Sequence, residues 1–248
     1  MLGVYQDGEI TPGGSEVFRH RAKARDLEPA TGQPGRIQDI EDHIARHVGE
    51  VETVNHEIVS DLVHLDVAMV PATPERPFQT LVTMGMSQRP MALPDQMRRA
   101  GVAARAELVV LLPPEWPVTD PEHHWPLGTL KLIARVPHQY DTWLGVWHTI
   151  PNGDPPRPYA ADTALAGAMT APSTRLPQGF GTLVRRNGET INFMAVVYLT
   201  ADEVTYKLEH GADALFDLLG AAGASELLDA SRSSVVPRRG RFRFRRDR

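Results

Sequence analysis

Glu107-Leu-Val-Val-Leu-Leu112 is the stretch that decides the fold. Its five consecutive apolar residues, closed by Pro113-Pro114, leave no side for water and fit a central strand covered on both faces. Outward from it, Leu62–Val70 alternates, with Val63, Leu65, Val67 and Met69 on one strand face and His64 and Asp66 on the other. Phe78–Met84 is a further strand, and another is expected within Thr163–Thr170. Leu183–Arg186 and Thr190–Tyr198 flank Asn187-Gly188, a strong hairpin signal. Helical spacing recurs at Ile37, Ile40, Ile44 and Val48, with Gly49 as the cap. It recurs again as a short helix at Leu127, Leu130, Leu132 and Ile133, ended near Pro137. Two closing helices, Asp202–His210 and Ala212–Ala222, are divided by Gly211. The order of elements implies an α+β (mixed α/β) fold, a single domain with a central mixed β-sheet flanked by helices.

The rest of the composition narrows the class. The chain has 248 residues, 42% of them hydrophobic and 23% charged, as an ordinary globular domain does. Its longest apolar runs, Leu108–Leu112 and Met194–Leu199, fall short of the roughly 18–20 residues of a membrane helix. No secretory signal is visible at the N-terminus. Cysteine is absent, which removes disulfides, thiolate zinc sites and a cysteine nucleophile, and fits a cytoplasmic location.

Charge is unevenly spread over the net −5. Residues 1–36, rich in Gly and Pro and without periodicity, hold five basic and five acidic side chains and are expected to be disordered. Residues 232–248 hold eight arginines and one aspartate and form a basic tail, also expected to be disordered. The domain between, 37–231, keeps 13 basic and 25 acidic residues, a net −12. Such a body repels phosphate backbones, so nucleic-acid contact is expected only weakly, through the tail.

Motifs for catalysis are fragmentary. No phosphate-binding glycine loop exists. Gly85-Met-Ser87 follows a strand as a nucleophile elbow does, yet the second glycine is missing and Pro90 and Pro94 follow. His56-Glu57 opens like a zinc-protease motif, but Ser60 stands where the second His belongs. His56, His64 and Asp66, with His148, could serve a hydrolase or metal-dependent enzyme; equally, they form a polar face satisfied by its own members. No cofactor and no metal is expected.

The segment from His138 to Pro172 is long and rich in Pro and Gly, and loops of that length are usually functional. Within it, Tyr140–Asp154 concentrates aromatic, amide and carboxylate groups. Tyr140, Asp141, Trp143, Trp147, His148 and Asn152 are the candidate partner-binding residues, since Trp and Tyr are favoured contact anchors; a loop pinned by its tryptophans is the structural alternative. Trp143 and Trp147 have opposed neighbours, so at most one is expected in the core.

With those segments located, the sequence resembles the suppressor of fused domain family in its compact bacterial form. The resemblance rests on six stretches in order, spanning roughly residues 40–230. They are His56–Asp66, Thr80–Met91, Ala106–Pro117, Trp125–Arg135, Thr142–Gly153 and Lys207–Leu215, of which Thr142-Trp-Leu-Gly-Val-Trp-His-Thr-Ile-Pro-Asn-Gly153 is the most distinctive. The resemblance implies a non-enzymatic protein-binding module. Animal relatives clasp a peptide as an added β-strand between two lobes, and bacterial members are thought to act as immunity proteins that neutralise a toxin. The second animal lobe has no counterpart here, and Arg89-Pro90 stands where the peptide-contacting tyrosine would fall, so only the class of activity carries over. The acidic body suits a basic toxin domain as partner; it equally suits a plain solubility surface.

Overall fold

In the computed structural model, residues 7–20, 28–30 and 32–237 are described. Eight strands form one mixed sheet with five helices around it. In chain order the elements are α1 (Pro34–His47), β1 (Thr53–Asn55), β2 (Asp66–Val70), β3 (Gln79–Met84), α2 (Asp95–Arg99), β4 (Arg105–Leu112) and α3 (Trp125–Gln139). Then follow β5 (Thr149–Pro151), β6 (Leu165–Ala171), β7 (Thr182–Val184), β8 (Thr190–Thr200), α4 (Ala201–His210) and α5 (Ala212–Ala221). The sheet runs β1-β2-β3-β4-β8-β6-β5, with β7 lying against β8. Every pairing is antiparallel except β4 with β8, where Arg105 sits opposite Ile191 and Val109 opposite Ala195.

The strand that decides the fold is covered on both faces. Leu108, Val110 and Leu112 of β4 pack with Leu127, Leu130 and Ile133 of α3, while Val109 and Leu111 meet Ile40 and Ile44 of α1. Burying each such side chain contributes roughly 1.5–3 kcal/mol, which is why a continuous apolar run is tolerated only here. β8 also faces two ways: Met194, Val196 and Tyr198 point to α3, and Phe193 toward α1. Further along, Val197 and Leu199 sit under Val204 of α4 and Leu215 and Leu219 of α5. The Asn187-Gly188 hairpin closes as read, with Gly188 N donating to Arg185 O and φ of +83° at Gly188.

Several boundaries differ from the sequence reading. α3 runs through Pro137 instead of stopping before it, because the proline occupies the last turn, is buried, and is followed by Tyr140 N donating to Val136 O. Order does not wait for Ile37: α1 starts at Pro34, and Arg36 is only 2% exposed, donating to Glu189 at 3.0 Å and to Gln88. A lone buried arginine has no periodicity for a sequence to display. Nor does contact with the body end at 231, since Arg232 donates to Glu203 at 2.6 Å and Val235 N donates to the same carboxylate.

Residues 8–17 form a tight hairpin, with Gly8 N donating to Val17 O and Thr11 N to Ser15 O. It docks where α4 meets α5: Gly13 N donates to Leu208 O, and Lys207 Nζ donates to Ser15 Oγ at 2.7 Å. The approach is so close that a Cβ on Gly13 would lie 2.3 Å from Gly211 N. The basic tail beyond Pro237, with the weak nucleic-acid contact expected of it, lies outside the described residues.

Candidate functional site

Three groups of chemistry-bearing residues were legible in the sequence, and the fold treats each differently. The Gly85-Met-Ser87 turn is the first. It leaves β3 with Gly85 at φ +134°, where a Cβ would collide with His64 O at 1.8 Å, so only glycine fits. Ser87 is fully buried and its hydroxyl donates to Glu107 Oε1 at 2.7 Å. Gly85 N and Ser87 N donate to the same oxygen, and Thr83 Oγ1 donates to Oε2 at 2.6 Å. Burial pushes the Glu107 carboxyl up, against these four donors. Here Ser87 positions a turn around a buried carboxylate, and its oxygen is closed to any substrate.

The second group gathers at the end of β2. Asp66 bridges His56 Nδ1 and His64 Nε2, each at 3.0 Å, and also accepts from Glu57 N. Glu57 is held in turn by Arg135 and by Leu65 N. His148 is not part of this group: it precedes β5, five strands across the sheet from β2, and packs against Trp143. Its imidazole is pushed down by burial, with Lys207 adding to the effect. Among the described residues, no three His, Asp or Glu side chains are placed to hold a metal ion.

The third group is the Tyr140–Asp154 rim, which includes edge strand β5. Thr170 of β6 sews the loop down, its hydroxyl donating to Gly145 O at 2.5 Å and its carbonyl accepting from Trp147 N. Trp143 lies over Gly145, where a Cβ would meet the indole at 2.5 Å, and its ring meets His148 edge-on at 4.4 Å. Trp147 turns the other way, against Phe216 of α5 at 5.1 Å. Both indoles are therefore half-buried, each against a different apolar cluster. Asn152 shapes the following turn, donating to Arg157 O at 2.8 Å.

Strain marks this rim. Among the described residues, only Leu62, Asp141 and Trp147 are non-glycines with positive φ, and two of the three lie here. A bulky side chain at φ +71°, as at Trp147, is costly and persists only where its surroundings enforce it. Beside β5, a cleft of about 250 Å³ opens between Trp125, Gly128 and Leu132 of α3 and Ile150, Asn152 and Tyr159. Tyr159 stacks on Trp125 at 5.4 Å, and burial raises its phenol well above the ordinary range. Neither Trp125 nor Tyr159 was singled out as a site residue from sequence, because one comes from the start of α3 and the other from the loop before β6, both outside the Tyr140–Asp154 segment.

Comparison with protein families matches residues 61–233 to suppressor of fused protein (SUFU). The chain belongs to the SUFU family. Three solved SUFU structures share the fold. A SUFU homologue from Neisseria gonorrhoeae has a TM-score of 0.60 at 16% identity, covering 83% of this chain and 100% of that one. The Sufu-Fu complex gives 0.58 at 17%, covering 83% and 93%. Drosophila Suppressor of Fused gives 0.56 at 17%, covering 86% of this chain and 54% of that longer one. Curated protein sequences give no significant match. No helix among the described residues is long and apolar enough to cross a membrane.

Proposed function

We propose that this protein is a cytoplasmic binding module that neutralises a partner protein through the Tyr140–Asp154 rim, the partner being a basic toxin domain. The observation that carries the reading is the rim itself: half-exposed Tyr140, Trp143, Trp147 and His148, with exposed Asp141 and Asp154, on a strained loop beside an edge strand. Family membership supports the binding class, since a SUFU relative is solved in complex with Fu. The net −12 of residues 37–231 favours a basic partner, because opposite charge speeds encounter and rejects like-charged competitors.

The test uses the full chain as bait against its own cell's proteins, followed by calorimetry with the purified partner. Replacing Tyr140 or Trp143 by Ala is expected to weaken binding by about 1–3 kcal/mol, the range for an aromatic anchor. A partner bound equally well by both variants, each still folding cooperatively, would remove the rim from the reading. A captured partner that is acidic would remove the toxin assignment.

A further inference from the structure

The rim already has an occupant. Arg19 Nη1 donates to Asp154 Oδ2 at 2.5 Å, and the next residue, His20, stacks on Tyr140 at 5.0 Å between ring centroids with 17° between planes. Phe18 extends the stack, 6.3 Å from His20 and nearly parallel to it. In an extended chain successive side chains point to opposite sides. His20 therefore stacks on the tyrosine with Phe18 behind it, while Arg19 reaches the carboxylate, and the chain is seated between the two ends of the rim.

We propose that residues 18–20 are an in-built placeholder, and that the rim receives an extended partner segment in which a basic residue stands next to an aromatic one. The proposal rests on the rim being the partner site and adds the chemistry it reads. Two features separate a placeholder from a permanent part of the wall. The hairpin at 8–17 is anchored through Gly13 and through Lys207, which is only 6% exposed, so the arm is held close whatever it does next. The arm's contacts with the rim are exposed: the side chains of Arg19 and Asp154 are 43% and 70% exposed and Phe18 is 51% exposed, while Arg19 N is tied back to Asp7 Oδ1 at 2.9 Å on the hairpin side. Exposed ion pairs contribute little to stability, so a partner making the same contacts with a longer segment displaces the arm at small cost.

The experiment compares the full chain with its Arg19→Ala/His20→Ala variant. The probe is a labelled peptide of residues 15–23, Ser-Glu-Val-Phe-Arg-His-Arg-Ala-Lys, with a scrambled peptide as control. Binding is read by fluorescence anisotropy across a salt series. The variant is expected to bind the peptide about two- to fivefold more tightly than the wild type, with the gain lost on adding Asp154→Ala or raising salt. Equal affinity for wild type and variant overturns the proposal, as does binding indifferent to Asp154 or no preference over the scrambled peptide. Self-association of the variant in place of peptide binding would give the rim to a second copy and also overturn it. Thermal unfolding of each variant confirms that the body is intact. If the peptide fails while Tyr140→Ala still weakens the captured partner, only this proposal falls; if the peptide binds while the partner ignores the rim, the proposed function falls instead.

Discussion

The Gly85–Ser87 turn and the Tyr140–Asp154 rim look alike as sequence, each a cluster of polar and special residues after an apolar stretch, yet their fates are opposite. At the turn every polar group is answered from within: Ser87, Thr83 and two backbone N–H groups all donate to the buried carboxylate of Glu107. At the rim the side chains are half-buried or exposed, and its two ends, Tyr140 and Asp154, take contacts from a separate stretch of chain, residues 18–20. Saturated polar groups specify structure, because removing one strands the others. Groups with capacity to spare are the ones available to a partner.

The comparison breaks first, and hardest, at Glu107. Glu107→Ala removes the acceptor shared by four buried donors, of which Thr83 Oγ1 alone has another at 3.5 Å, and is expected to cost at least about 3 kcal/mol in urea unfolding. A loss below about 1 kcal/mol would mean the turn is not organised by that carboxylate.

Next in size is His138, which accompanies the turn. It is 6% exposed, bonded to Met86 O at 2.9 Å, and held by burial at about 4. In the unfolded chain the imidazole titrates near 6.5, so between these values the unfolded state holds more protons. Stability is thus full above about pH 6.5 and falls by roughly 3 kcal/mol as pH drops toward 4. The difference between wild type and His138→Gln, followed by denaturant midpoints over that range, isolates it; parallel pH curves would contradict the assignment.

Smaller effects belong to the ends of the chain. A chain beginning at Gly32 is expected to be about 1–3 kcal/mol more stable than one beginning at Ile37, because the second loses the buried Arg36–Glu189 pair. Equal midpoints would return Arg36 to the stretch expected from sequence to be disordered. Smallest of all is Ile58→Ser, at a position 96% exposed, where a change within about 0.5 kcal/mol is expected by thermal unfolding. A larger loss would show that the exposed loop packs on something in solution.

How much of this was legible follows the reach of each signal. Periodicity reports burial along one element, so β4, the Asn187-Gly188 hairpin and the Gly211 break were readable from local residues alone. Three-residue strands such as β1 and β5 are too short to show a period, and they were missed. The rim segment was readable because it collects rare residue types in a Pro/Gly-rich stretch. Its geometry was not: Trp125 and Tyr159 reach the cleft from elements outside that segment, and Arg19 comes from more than a hundred residues away. The reading of His148 with His56 failed for the same reason, since sheet order, not sequence, separates β2 from β5.

One pairing has a consequence for how the molecule comes into being. β3 and β4 are neighbours in sequence, but the other flank of β4 is filled by Ile191–Ala195 of β8 and, at Leu111, by Leu227, both far along the chain. Closing so long a loop is entropically costly, and topologies dominated by such distant pairs assemble slowly. On the ribosome, most of the polypeptide must be made before the strand at its centre has both neighbours. Until then Leu108–Leu112 is an unfinished apolar edge, a template for pairing with another nascent chain. Synthesis of the last quarter of the sequence is therefore the step on which escape from aggregation depends.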